Sequence, residues 1–167
     1  VLSMHQAGIE NVVASSGTAL THGQIRLIHR FTTNVTVLYD GDAAGIRASL
    51  KGINLLLEDG LNIKVLLLPD GEDPDSFARK PSATSFAEYL KANETDFIRF
   101  KTDILLKEAG DDPAARARLI QDIVESIALI ADDITRTVYT TECSRQLNIR
   151  EEVLQKEVDK RRIQQLR

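Results

Sequence analysis

Short apolar runs alternate with helical patterns over the first eighty residues of the chain. Strands are predicted at residues 11–14, Asn34 to Tyr39 and Ile63 to Leu68, because β-branched or nearly all-apolar runs of this length are typical of buried strands. Apolar residues at spacings of three and four predict a helix from Ala43 to Glu58, which Gly60 ends. The alternation of strands and helices predicts an α/β unit with a parallel sheet and helical crossovers.

The β pattern disappears after about residue 82, and amphipathic helical patterns continue to the end of the chain. Helices are predicted at Ser85 to Asn93, Asp96 to Ala109, Ala114 to Ala131, Ile134 to Gln146 and Arg150 to Leu166. Amphipathic helices joined by short connections are typical of a small α-helical bundle. We therefore predict two domains, residues 1–95 and 96–167.

Composition excludes several classes of protein. Hydrophobic residues make up 43% of the 167 and charged residues 28%, which is typical of a globular chain and not of disorder. The longest apolar run, Val65 to Pro69, is too short to span a membrane. A single cysteine, Cys143, excludes an internal disulfide framework and a cysteine-based zinc site. Without a secretory signal pattern, a cytoplasmic location is the default expectation.

Acidic residues are concentrated in two short segments of the first domain. Residues 1–98 carry a net charge of −4, whereas residues 99–167 are neutral. The clustered acids are Asp40, Asp42, Asp70, Glu72, Asp73 and Asp75. Such clusters repel unless a cation or a basic group lies between them. Both segments follow neighbouring predicted strands, at the edge where open α/β sheets bind their ligands.

Each acidic segment has a functional and a structural interpretation. Asp40 and Asp42 are separated by one glycine, which allows the backbone to turn so that both carboxylates face one region. Carboxylate oxygens suit Mg²⁺, but a turn leading into a helix N-cap would also favour aspartate. Asp73 and Asp75 are placed to face the same cation. The structural alternative is that Asp75 caps a short helix beginning at Ser76.

Two sequence motifs carry a resemblance to a known family. Y-D-G-D-x-A-G, from Tyr39 to Gly45, follows one predicted strand, and L-P-D-G-x-D-P-D, from Leu68 to Asp75, follows the next. Together with the segment Ala14 to Thr21, they resemble the toprim domain of bacterial replicative DNA primases. The resemblance covers residues 1 to about 80 closely and the helical remainder in outline. D-G-D alone is shared with topoisomerases, whereas the second motif is more specific to primases.

The resemblance implies a nucleotidyltransferase of DNA replication, a DNA-directed RNA polymerase that makes short primers. It implies Asp40 and Asp42 as catalytic metal ligands, with Asp73 and Asp75 in the same Mg²⁺ or Mn²⁺ site; zinc is implied only in a domain outside this chain. The implied partners are a single-stranded DNA template, ribonucleoside triphosphates, the replicative helicase and single-strand-binding protein, in the primosome. The helicase contact is expected in a C-terminal domain outside this chain. No membrane partner is implied, and the chain itself is expected to be a monomer.

One departure from the family pattern limits what we expect of this chain by itself. The family's catalytic glutamate lies in an E-G-Y-x-D motif at the first toprim strand, and this sequence does not contain it. We therefore expect residues 1–95 to be a partial toprim domain that binds Mg²⁺ or Mn²⁺ weakly and does not polymerise alone. Two alternatives stay open: another toprim enzyme, such as a metal-dependent nuclease or topoisomerase-like protein, and a non-catalytic receiver or interaction module.

Overall fold

The computed structural model describes residues 1–6, 8–14, 20–39, 43–69, 72–79 and 83–167, with the backbone alone for residues 43–49, 51 and 83–85. The chain divides into two compact units, Val1–Asp96 and Phe97–Arg167. None of the described helices combines the length and the apolar character that a bilayer span requires.

The first unit contains a small mixed sheet with helices. Its elements are α1 (Leu2–Gln6), α2 (His22–His29), β1 (Asn34–Tyr39), α3 (Ala43–Glu58), β2 (Asn62–Leu67), α4 (Pro74–Ala78), α5 (Ala83–Asn93) and β3 (Thr95–Asp96). β1 and β2 pair in parallel, with Asn34 opposite Asn62 and Tyr39 opposite Leu67. β3 pairs antiparallel with β2, giving the order β1-β2-β3. The predicted α/β class is confirmed, with α3 as the crossover between the parallel strands.

Local signals fix the start of α2 and the predicted end of α3. The Thr21 hydroxyl accepts a hydrogen bond from the Gln24 amide at 3.2 Å, and the Gln24 side chain accepts one from the Thr21 amide at 3.0 Å, which completes a capping box. After α3, Gly60 has a φ of +84°, the left-handed conformation that glycine adopts most easily. His29 Nδ1 lies 2.8 Å from Asp59 Oδ2, which connects the end of α2 to this turn.

The third strand of the sheet is not the predicted one. The prediction of a strand at residues 11–14 is wrong: this segment is irregular, and Val12 packs against a core cluster around Met4 and Phe86. The third strand is β3, in a region that shows no β pattern. The Glu94 carboxylate explains its position, because it accepts hydrogen bonds at 3.2 Å from Thr36 of β1 and from Lys64 of β2. Glu94 therefore places the next two residues beside β2.

The second unit consists of helices, as predicted. They are α6 (Phe97–Ala109), α7 (Pro113–Ala128), α8 (Asp133–Leu147) and α9 (Glu151–Gln165). Asp112 caps α7 with Pro113 in its first turn, and Asn148 ends α8 with a left-handed φ of 54°. Ile123, Ile127 and Val158 are completely buried between the helices.

A lysine is buried inside this helical unit. The Lys101 side chain is 6% exposed, and its ammonium donates to Ser126 Oγ at 2.9 Å and to the Asp122 carbonyl at 3.3 Å. A buried polar group needs such partners, because losing hydration without replacing it costs free energy. Lys101 therefore fixes α6 against α7 through oriented bonds as well as through apolar packing.

The N-terminus of α8 gives a pH-dependence that can be measured. The Asp132 carboxylate accepts hydrogen bonds from the Thr135 hydroxyl at 2.7 Å and the Thr135 amide at 2.8 Å, and these bonds hold the pKa of Asp132 below its usual range. Because the folded pKa is depressed, the charged cap stabilises the fold at all pH values above the unfolded pKa. That contribution is lost as the pH falls through the folded pKa.

We expect Thr135→Val to raise the pKa of Asp132, because the variant removes the hydroxyl donor and leaves the amide donor in place. Carboxyl carbon NMR shifts followed against pH in the wild type and the variant measure this change, with the chain unfolded in urea as the reference. Thr137→Val is a matched control on the same helix, because the Thr137 hydroxyl donates to the Asp133 carbonyl. Equal Asp132 midpoints in wild type and Thr135→Val would contradict the stated cause.

Candidate functional site

The two strands that the acidic segments follow in the sequence, β1 and β2, end at neighbouring positions of the sheet. β1 ends at Tyr39 and β2 at Leu67, and these residues are register partners. The parallel pairing continues one residue further, since the Leu68 amide donates to the Tyr39 carbonyl at 3.0 Å. Asp40 and Asp42, which follow Tyr39 in the sequence, lie outside the described residues. The other two predicted ligands, Asp73 and Asp75, are described.

Asp73 begins α4 and has the geometry of a helix cap. Its Oδ1 accepts the Ser76 amide at 2.7 Å, and Ser76 Oγ accepts the Asp73 amide at 3.0 Å. Pro74 takes the first helical position, where a missing N–H costs nothing. The alternative prediction, that Asp75 caps a helix beginning at Ser76, is wrong. The helix begins two residues earlier, at Pro74, because Asp73 is the residue that forms the reciprocal pair with Ser76.

Hydrogen bonding keeps Asp73 charged. The backbone N–H of Ser76 is the largest cause that lowers the pKa of Asp73, with further contributions from the Ser76 hydroxyl and from Arg79. The side chain is exposed to solvent. Asp73 is therefore an ionised, accessible oxygen donor at neutral pH, next to the edge at which β1 and β2 end.

Asp75 has a different environment. Its Oδ1 accepts a hydrogen bond from the hydroxyl of Ser3, and its Oδ2 lies 3.3 Å from Arg79 Nη2. Ser3 lies on α1 and is 8% exposed. Arg79 Nε also donates a hydrogen bond to the Ser3 hydroxyl, at 3.5 Å. Ser3 and Arg79 therefore orient Asp75. Sequence reasoning missed both; the spacing of four between Asp75 and Arg79 was a readable signal, whereas nothing in the sequence pointed to Ser3.

Aromatic packing fixes the position of α4, the helix that Asp73 caps and that contains Asp75. The Phe77 ring meets the Phe86 ring edge-on, with centroids 5.2 Å apart, and the Tyr89 ring at 5.0 Å. Ala78 and Met4 are buried in the same cluster. Tyr39, the last residue of β1, lies immediately before Asp40 in the sequence. Burial raises the pKa of its hydroxyl, so the hydroxyl stays neutral.

The described part of the site fits a hard divalent cation. Among the described residues, no three His, Cys, Asp or Glu side chains come together as a complete metal site. Asp73 supplies a charged oxygen donor, and each carboxylate oxygen of Asp75 keeps a second lone pair beyond the bonds described above. Such oxygen donors are the chemistry that Mg²⁺ and Mn²⁺ prefer.

Two family models match the chain in succession. One, described as Toprim-like, covers residues 1–78, and the other, described as the DnaB-helicase binding domain of primase, covers residues 98–152. With the parallel β1–β2 pair and the helical unit, these matches define a toprim protein of the primase type. The second match does not support the expectation that the helicase contact lies wholly outside this chain.

Curated relatives and solved structures agree with these matches. The chain is 36% identical to a DNA primase of Clostridium acetobutylicum over 92% of its own length and 26% of that protein. A crystal structure of a DNA primase domain from Pseudomonas aeruginosa superposes with a TM-score of 0.80 at 25% identity, over 95% of this chain and 51% of the other. A DnaG primase catalytic domain bound to single-stranded DNA gives a TM-score of 0.74 at 32% identity, over 87% and 48%.

The chain belongs to the bacterial DNA primase family. It spans about a quarter of the length of the curated relatives it matches, 26% for the Clostridium protein. The predicted resemblance is thereby confirmed, and it is favoured over the receiver and nuclease alternatives.

Proposed function

We propose that this chain is part of an enzyme that links ribonucleotides into a short RNA primer on a single-stranded DNA template. The observation that carries the proposal is the parallel β1–β2 pair, which brings two acidic segments to one edge of the sheet. Membership of the primase family and the superposition on a primase domain bound to single-stranded DNA support the same activity. The reaction class is metal-dependent nucleotidyl transfer.

In this proposal Asp40, Asp42, Asp73 and Asp75 hold Mg²⁺ or Mn²⁺. When bound, the ion supplies charge neutralisation at the triphosphate and activation of the attacking hydroxyl. Asp73 contributes a carboxylate that its helix cap keeps ionised. Ser3 and Arg79 each hold one oxygen of Asp75, so the carboxylate is kept in one orientation. Asp40 and Asp42 complete the site from the end of β1.

The negative net charge of this chain indicates that other parts of a longer protein bind most of the template. The chain has a net charge of −4, and strong binding to nucleic acid phosphates requires a basic surface. We therefore propose that this chain supplies the cation site and a helical unit, and that ribonucleoside triphosphates reach the site through the bound ion. Binding of single-strand-binding protein stays a prediction.

A second function is favoured for the helical unit. Residues 98–152 match a family model described by its binding to the DnaB helicase, so we propose that the second unit contacts the replicative helicase. This contact would deliver the cation site to newly unwound single strands. It is independent of the metal chemistry and can be tested separately.

The cation site is tested by titrating the isolated chain with Mn²⁺ and following paramagnetic broadening by NMR. We expect broadening centred on Asp40, Asp42, Asp73 and Asp75 together, because one ion lies within reach of both segments. Asp40→Ala should abolish it, whereas Glu10→Ala, at an exposed acid of the same unit, should leave it unchanged. Broadening at one segment alone, or none at millimolar metal, would contradict a shared site.

A further inference from the structure

Most large apolar side chains are buried or half-buried in residues 98–152, the segment that matches the helicase-binding family model. Residues 98–152 are all described, and Ile134 and Val138 are the two large apolar residues among them that stay mostly accessible, at 76% and 61% of their surface. Single exposed apolar residues are common on protein surfaces. Two exposed apolar residues on neighbouring helical turns form a small continuous patch. The other large apolar side chains of this segment are buried or half-buried.

The patch lies on a side of α8 where Ile134 and Val138 keep most of their surface exposed. Ile134 and Val138 are four residues apart, so they are neighbours on the helix surface. The next position along this stripe, Thr141, is exposed, but its hydroxyl donates to Glu151 Oε1 of α9 at 2.8 Å, so contact with α9 begins there. α8 packs through its buried residues, which are Thr140, Cys143, Ser144 and Leu147. Ile134 and Val138 therefore contribute little to folding of the helix bundle.

The charges beside the patch are paired along α8 itself. Arg136 contacts Asp133 and also donates to the Ile130 carbonyl at 2.8 Å. Further along the helix, Arg145 forms an ion pair with Glu142 at 2.5 Å. The result is an apolar centre with a polar rim in which Arg136 and Arg145 each have a carboxylate partner. Contact patches in protein–protein interfaces have this composition, because a charge-depleted centre is easily desolvated.

We propose that this surface, the Ile134–Val138 face of α8, is where the helical unit contacts an apolar surface of the replicative helicase. The inference rests on the proposed helicase contact and deepens it by naming the residues. The family match favours the helicase as the partner of this face, because α8 lies wholly within the matched residues 98–152. Within those residues no other exposed pair of large apolar side chains is available to form the contact.

A groove between α7 and α9 is the competing surface. Ile120 and Val124 line one wall, and Lys160 and Arg161 line the other beside Glu157. Its α9 wall lies beyond residue 152, outside the matched segment, and it carries charges of both signs. The groove is therefore less suited than the α8 face to the contact that the family match describes.

The test measures binding of the chain to the purified replicative helicase of the same organism by biolayer interferometry. Ile134→Ser combined with Val138→Ser should weaken binding about tenfold or more, since buried apolar side chains dominate such contacts. Ile163→Ser with Leu166→Ser is the matched control. These two residues are also exposed, at 57% and 72%, in the same unit but outside the matched segment, and we expect less than about a twofold change.

The outcomes separate the two proposals. If the wild-type chain binds and the α8 double variant binds equally well, the surface is wrong while the helicase contact stands. If the wild-type chain does not bind, both fail. Thermal unfolding of each variant shows whether the fold is kept, and Val138→Ser alone serves if the double variant is unstable. Sedimentation of the wild type and the double variant tests whether a second copy of the chain binds this face instead. A dimer that the variant dissociates, with helicase binding unchanged, would overturn the proposal.

Discussion

Primer synthesis is expected to fall by about 10²–10³-fold when Asp40 is replaced with asparagine in a primase that contains these residues, because a metal site contributes several kcal/mol of charge stabilisation. Asparagine keeps the volume of the side chain and removes its negative charge. The measurement is incorporation of labelled ribonucleotides on a single-stranded template at the Mg²⁺ concentration that just saturates the wild type. The same assay on Asp42→Asn should give a loss of similar size, since the two carboxylates are proposed to share the ion.

A matched control separates lost metal binding from lost general charge. Glu10→Gln makes the same change in net charge at an exposed position of the same unit, and we expect its activity to stay within about twofold of wild type. Raising the Mg²⁺ concentration should recover part of the Asp40→Asn activity if weakened ion binding is the cause. Full activity in Asp40→Asn at ordinary Mg²⁺ would remove Asp40 from the proposed site.

The parts of the site that were predictable depend on short-range signals. The two acidic motifs each follow a strand whose pattern is strong, and a parallel pair necessarily brings the carboxyl ends of its strands to one edge. The role of Ser3 could not be predicted, because its partner Asp75 lies 72 residues away. Contacts of that kind depend on how α1 packs against α4, which no local pattern encodes.

The same distinction explains the success and failure of the fold predictions. The capping box at Thr21 and the left-handed Gly60 depend on residues within a few positions, and the predicted end of α3 at Gly60 is confirmed. The strand predicted at residues 11–14 fails because apolar residues there are used for packing around Met4 rather than for pairing. β3 is only two residues long, and it is positioned by Glu94 bonds to distant strands, so periodicity could not reveal it.

Leu66→Ala is expected to destabilise the first unit by about 3 kcal/mol, the cost typical of removing a fully buried leucine and leaving a cavity. Leu66 has no exposed surface and lies on the central strand of the sheet. Its register partner is Leu38, which packs against the cluster that contains Met4 and Phe86. β2 is paired on both sides, with β1 and with β3, so it has little freedom to move into the space that the leucine leaves. Most of the cavity should therefore persist.

The neighbouring residue supplies the control for this prediction. Leu67 belongs to the same strand, but its side chain points to the opposite face and is 38% exposed. Leu67→Ala should therefore cost less than about 1 kcal/mol. Urea unfolding of both variants, followed through NMR signals of the first unit, gives the two free energies. Equal losses would mean that β2 is not packed on the Leu66 face as the structure shows, and that α1 and α4 lack the support on which the orientation of Asp75 depends.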